Sequence, residues 1–216
     1  MKPDGAHSYV PGARKLPVLR RAAQQCRGCD LFRHATQAVF GELDAPPQAH
    51  QNGARLMMIG EQPGDREDIE GRPFVGPAGK LLDRCLEEAG IGRGQVYVTN
   101  AVKHFKWEPR GKRRLHKKPS QREIEACRPW LDAEIETVRP RLIVCLGATA
   151  AQGLLGPKFR VTQQRGELVR AGDLPPVVAT VHPSSILRAQ SDEDRHREMQ
   201  SFIADLKKAR AYLAGL

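Results

Sequence analysis

Four short apolar runs punctuate the chain, at residues 55–60, 96–99, 141–146 and 177–181. Each is partly β-branched and bounded by polar or turn-forming residues, the pattern of strands buried on both faces. Between and after them lie helical patterns over 78–89, 120–138, 148–155 and 193–213. An entry helix is expected over 14–26, ending near Cys26-Arg-Gly-Cys29, and Ser120 with Glu123 forms a capping-box start. Strands alternating with helices predict an α/β fold: a single three-layer αβα domain around a central four-stranded parallel sheet. Residues 1–13 and 44–53 read as mobile, which leaves 14–216 as the domain. Ligands of such sheets bind beyond the carboxyl ends of the strands. Glu61 and Gln62, Asn100 and His182 all fall there.

The stretch Gly60-Glu-Gln-Pro-Gly-Asp-Arg-Glu-Asp-Ile-Glu-Gly-Arg-Pro-Phe-Val-Gly76 follows the first strand directly. Its glycines let the loop fold back and bring backbone close to a ligand. Glu61, Asp65, Glu67, Asp68 and Glu70 supply carboxylates and Phe74 an aromatic face, a combination suited to a flat polar ring.

At 216 residues and 40% hydrophobic, the chain can build one well-packed domain. A mean hydropathy of −0.51 and the lack of any long apolar run argue against a membrane span. The first eleven residues carry no hydrophobic signal core, so a cytoplasmic protein is expected. The net charge of +10 is concentrated. Lys103, Lys106, Arg110, Lys112, Arg113, Arg114, Lys117 and Lys118 face the single acid Glu108, with Phe105 and Trp107 interleaved. Such a segment suits a phosphate-tracking surface, and nucleic acid is favoured over membrane because no amphipathic helix accompanies the charge.

Five cysteines is an odd number, which favours metal or cluster ligation over disulfides. Cys26-x-x-Cys29 has metal-type spacing. Cys145, inside a strand, and Cys85, on an apolar helix stripe, read as core residues. Cys127 is the third candidate thiol and His104 the best fourth ligand. Three thiolates and an imidazole suit zinc or an iron–sulfur cluster, and spacing does not decide between them.

Four elements together resemble the uracil-DNA glycosylase superfamily, close to family 4 and specifically its UdgX branch. They are Gly60-Glu-Gln-Pro-Gly-Asp-Arg-Glu-Asp with Gly71-Arg-Pro-Phe-Val-Gly76, Val98-Thr-Asn-Ala-Val-Lys-His104, Lys112-Arg-Arg-Leu-His-Lys-Lys-Pro119, and Val181-His-Pro-Ser-Ser185. The resemblance runs from about Cys26 to the C-terminal helix. It implies a uracil-DNA glycosylase-like fold and a [4Fe–4S] cluster on Cys26, Cys29, His104 and Cys127, with histidine standing where family 4 has its third cysteine. It implies a uracil pocket of Gln62, Asp68, Phe74, Asn100 and His182, with His182 donating to uracil O2. It gives Glu61 or Asp65 the task of assisting His116, whose imidazole attacks C1′ of the sugar once the base has left. Lys112, Arg113, Arg114, Lys117, Lys118 and Arg188 become DNA contacts. The expected partner is uracil-containing DNA, single-stranded or with the uracil flipped out, acted on by a monomer.

Two rival readings remain from the sequence. One is a conventional family 4 glycosylase with ordinary turnover. The other is a non-catalytic module for single-stranded DNA whose basic loop is shaped by zinc. Gly60-x-x-x-Gly64 lacks the Lys-Ser/Thr ending of a P-loop, so nucleotide hydrolysis is not expected.

Overall fold

The computed structural model describes residues 5–43 and 55–215. Its sheet contains the four expected parallel strands, β2 (Leu56–Gly60), β3 (Val96–Asn100), β6 (Leu142–Leu146) and β8 (Val177–Thr180). Every residue in these four is buried. The runs are accordingly apolar without polar alternation, except at their carboxyl ends, where Thr99, Asn100 and Thr180 are buried polar residues. Two antiparallel edge strands, β1 (Glu42–Leu43) and β7 (Leu168–Val169), extend the sheet to six in the order β1-β3-β2-β6-β8-β7. Both are two residues long and only half-buried, too short to leave a pattern in the sequence.

One face of the sheet packs on α3 (Pro77–Glu88), α7 (Pro183–Leu187) and α8 (Asp192–Ala214), through Leu82, Cys85, Leu86, Ile186, Phe202 and Leu206. The other face carries α4 (Gln121–Val138) and α5 (Ala148–Leu155), with α1 (Leu16–Ala23) packed on α4. This is the three-layer arrangement expected. The capping box is formed: Ser120 accepts from Glu123 N–H while Glu123 accepts from Ser120 N–H. Cys85 and Cys145 are fully buried in the apolar clusters, as befits core thiols. Short helices α2 (Asp65–Glu70) and α6 (Val161–Gln164) were not visible in the sequence.

Residues 44–53 lie outside the described residues, as do residues 1–4. The expected mobility of the N-terminal segment gives way at 5–13, where Ala6 is buried and its N–H donates to Ala126 O at 2.8 Å. Gly5 presses on the Cys26–Cys29 turn so closely that a Cβ on Gly28 would lie 2.6 Å from the Gly5 carbonyl. Only glycine fits at position 28.

The basic segment is a hairpin. β4 (Trp107–Arg110) and β5 (Arg113–His116) pair antiparallel around Gly111, whose φ of +58° a side chain would strain. The register opposes Trp107 to His116 and Pro109 to Arg114, so these four share one face. Glu108, Arg110, Arg113 and Leu115 occupy the other, which is largely solvent-exposed.

Candidate active site

The parallel strands end together. Gly60 pairs with Asn100 across β2 and β3, and Leu146 with Thr180 across β6 and β8. That register gathers Glu61, Gln62, Asn100 and His182 at one edge of the sheet. Asn100 is buried, and its side-chain amide has no protein partner among the described residues. Its acceptor and two donors therefore remain open to a ligand. Gly60 forms the floor: a Cβ there would lie 2.4 Å from Asn100 Oδ1 and 2.8 Å from the Phe74 ring. Phe74 holds φ at +57°, an uncommon state for a bulky residue, and its ring stacks toward His182 at 6.1 Å and 27°. Gly79 lets α3 pass close under the Phe74 carbonyl.

His182 caps α7, and its Nδ1 accepts from Ser184 N–H at 3.1 Å with Ser184 Oγ at 2.8 Å. A nitrogen that accepts carries no proton, so the neutral ring bears its hydrogen on Nε2, free to donate. Burial above all, then the Arg188 cation and the neighbouring His116 ring, pushes its pKa down to about 4. The ring is neutral at physiological pH.

His116 arrives from the hairpin. Its Nε2 stands 3.4 Å from Glu61 Oε1, while the Thr149 hydroxyl of α5 donates to Glu61 Oε2. The ring remains 49% exposed. Desolvation lowers its pKa below the usual histidine value and outweighs the opposing pull of Glu61, and Arg188 adds a smaller lowering. Two separate devices anchor the hairpin. Gln62 spends its whole side-chain amide on the hairpin's base: Nε2 donates to Lys106 O and Lys117 O, both at 3.1 Å, and Oε1 accepts from Lys106 N at 3.2 Å. Arg114 reaches inward, its Nε donating to Asp65 at 2.6 Å and one terminal N–H to Asp68 at 2.6 Å. Asp68 is fully buried and also accepts from Thr36 N–H and Oγ1. The Arg114 guanidinium lies over both Phe105 and Trp107.

The expected site residues therefore divide. Glu61, Phe74, Asn100, His116 and His182 come together at the strand ends. Asp65 and Asp68 are occupied by Arg114, and the Gln62 side chain by the hairpin. Lys112, Arg113 and Lys118 are exposed, and Lys117 pairs with Glu108 at 2.8 Å. Arg188 is near enough to both imidazoles to lower their pKa values. Thr149, Ser184 and Thr36 were missed. Only Ser184 left a signal, two residues after the histidine it fixes.

Cys26, Cys127 and Cys29 share one cluster beneath α1 and α4, and each thiol is close enough to disfavour charge on another. Cys127 is pushed up to about 12 by burial, and Lys103 N–H donates to its sulfur at 3.3 Å. His104 is buried, lowered by desolvation to about 4, and lines a cavity of about 160 Å³ with Cys26. Among the described residues no group of three or more His, Cys, Asp and Glu side chains is placed to hold a metal ion, so the expected ligand set is not assembled as such.

Behind Asn100 lies a buried ion pair. Lys103 bonds Glu134, Thr99 Oγ1 (2.7 Å) and the Asn100 carbonyl (2.6 Å). Glu134 also accepts from Tyr97 OH at 2.8 Å and Gly41 N–H at 2.9 Å.

Comparison with known proteins agrees with this geometry. Residues 47–207 match the model of the uracil DNA glycosylase superfamily. A type-4 uracil-DNA glycosylase of Thermotoga maritima is 36% identical over 201 residues, covering 92% of this chain and 94% of its own. The type-4 enzyme of Archaeoglobus fulgidus is 37% identical over 89% of this chain and 90% of its own. A type-5 enzyme of Pyrobaculum aerophilum is 32% identical over 72% of each. No helix among the described residues is long and apolar enough to cross a membrane. With this pocket at the strand ends and these relatives along nearly its whole length, the chain belongs to the uracil-DNA glycosylase superfamily, with the type-4 enzymes.

Proposed function

We propose that this protein excises uracil from DNA and then joins itself to the abasic sugar through His116. The observation that carries the second half is the imidazole held 3.4 Å from Glu61, beside a pocket whose other walls are Asn100, Phe74 and His182. Excision draws support from the type-4 relatives and from the open amide of Asn100, which matches uracil O4 and N3–H and rejects cytosine. His182 Nε2–H donates to O2 as negative charge gathers on the leaving base. Such a donor is worth about 3 kcal/mol of barrier. The departing pair of electrons goes to uracil and leaves C1′ cationic. The lone pair of neutral His116 fills that carbon, and the ring becomes an alkylated imidazolium facing the Glu61 carboxylate.

The reading of the cysteine patch as the site of an iron–sulfur cluster draws support from the type-4 resemblance and from the packing of Cys26, Cys29 and Cys127 in one cluster, with His104 beside Cys26 in the same cavity. Cys26, Cys29, His104 and Cys127 would hold it. Glycosidic cleavage transfers no electrons, so its contribution is structural, tying the α1–α4 layer to the start of the hairpin.

The test is a denaturing gel after incubation with a uracil-containing oligonucleotide. A heat-stable protein–DNA band that disappears in His116→Ala is the expected result. Base release with free abasic DNA and no adduct would return the protein to conventional turnover, the reading its type-4 relatives favour. Absence of base release would leave only DNA binding. Purified protein should be brown, and Cys127→Ser should bleach it; colourless protein with bound zinc argues against the cluster.

A further inference from the structure

Three features lie outside the pocket chemistry. The groove along the end of α3, near Asp83, Leu86 and Arg93, offers nothing to identify an occupant. The clamp of Asp205, Thr180 and Arg165 under β8 is buried and accounted for by packing. The third is a paired guanidinium cluster. Arg27 lies 5.8 Å and Arg33 5.3 Å from the centre of the same Phe32 ring. Both arginines are exposed and Phe32 is half-buried. Arg27 has no carboxylate partner among the described residues, and Arg33 meets only the exposed Asp30 at 3.3 Å. An exposed pair of that kind is worth little and exchanges readily for another anion. A cation over a ring uses the guanidinium's face and leaves its N–H edges free for hydrogen bonding.

This cluster is wired to the hairpin that carries His116. Trp107 Nε1 donates to the His34 carbonyl at 2.9 Å, one residue beyond Arg33. Thr36 bonds Asp68, which in turn holds Arg114. The loop over 27–36 and the hairpin are thus braced against each other at two points. Arg27 and Arg33 therefore stand at a fixed offset from Arg110, Lys112, Arg113 and Lys118, which are exposed and have no ion-pair partner among the described residues.

We propose that Arg27 and Arg33, held by Phe32, form a second DNA subsite that grips backbone phosphates of the strand flanking the damaged nucleotide. The proposal rests on the uracil-excision reading and adds a footprint to it. Two phosphate contacts at fixed distance from the pocket make affinity depend on strand length and on salt, because each contact releases counterions. The subsite reads no base, so it is blind to sequence.

The experiment uses oligonucleotides containing 2′-fluoro-2′-deoxyuridine, whose fluorine destabilises the cationic sugar and prevents cleavage, so binding is measured without chemistry. One oligonucleotide is about five nucleotides long and one about fifteen, within the range a single binding domain covers. Fluorescence anisotropy follows affinity against salt for the full chain and for Arg27→Gln/Arg33→Gln. For the longer strand, the slope of log affinity against log salt should become shallower by about 1.4, twice the single-strand value of about 0.7 per contact. The short strand should bind both proteins equally. Lys207→Gln/Lys208→Gln, the same loss of charge on α8, should leave the slope near that of the unaltered protein. An unchanged slope in the arginine variant overturns the subsite while leaving excision intact. An equal change in the lysine variant overturns it too, by assigning the effect to bulk charge. Failure of the unaltered protein to bind either strand overturns both the subsite and the parent reading.

Discussion

Replacing Gln62 by leucine keeps the side chain's bulk and removes every hydrogen bond it makes. Three are lost: two donated to Lys106 O and Lys117 O, and one accepted from Lys106 N–H. Lys106 O keeps its bond from Lys117 N–H at 3.0 Å, so the groups left short are Lys106 N–H and Lys117 O. At about 1 kcal/mol per lost bond, the docked hairpin loses about 2–3 kcal/mol relative to undocked states. Each 1.4 kcal/mol is a factor of ten, so the competent population falls by at most about 30- to 150-fold. Arg114 still straps the hairpin to Asp65 and Asp68, which makes this an upper bound. His116 rides on the hairpin, whereas Asn100, Phe74 and His182 do not. Adduct formation in Gln62→Leu should therefore slow much more than uracil release, so free abasic DNA accumulates. A gel time course for adduct, run beside a radiolabelled-uracil assay, reads both rates. Equal slowing of the two, or no slowing of either, would refute the clamp.

Four further outcomes follow from particular contacts. The His116 pKa is lowered, chiefly by desolvation, so the adduct rate should decline with falling pH only through a range below the ordinary histidine value. An inflection at the ordinary histidine value of about 6.5 would contradict it. His182 has a folded pKa of about 4, below its unfolded value of about 6.5, so the unfolded chain binds the extra proton between them. Stability should therefore decline as pH falls through that window, and His182→Gln should flatten the decline in Tm against pH. Gly60→Ala places a methyl group against Asn100 and Phe74, so uracil release should fall about 100-fold, as small misplacements of reacting groups do. Near-normal kcat/KM would show that the floor yields. Glu134→Ala strands the buried Lys103 ammonium and should cost about 3–5 kcal/mol in urea unfolding; a loss under 1 kcal/mol would mean water or another acceptor replaces the carboxylate.

The layered sheet was legible because burial on both faces makes each central strand apolar up to its carboxyl end. Leu56–Gly60 and Leu142–Leu146 announce themselves without any partner being known. The strand ends then located Glu61, Asn100 and His182, since topology alone puts ligands there. The hairpin was read as a basic loop for an equally physical reason. A two-stranded ribbon with Pro109 in one strand and charges on both faces has neither strand alternation nor a core of its own. Only docking against Gln62, His34, Asp65 and Asp68 makes it a structure.

The chain by itself determined which residues are apolar, where the backbone must turn, and which side chains carry titratable chemistry. It could not determine which cations face water. Arg113 and Arg114 are neighbours of identical charge, yet strand alternation sends one outward and the other onto two carboxylates. It could not pair Lys103 with Glu134 or Glu61 with Thr149 either, since partners so far apart in sequence meet only once the layers close. Distance-dependent forces, hydrogen bonding and Coulomb attraction above all, are decided by the tertiary structure, whereas the hydrophobic pattern that builds it is written locally.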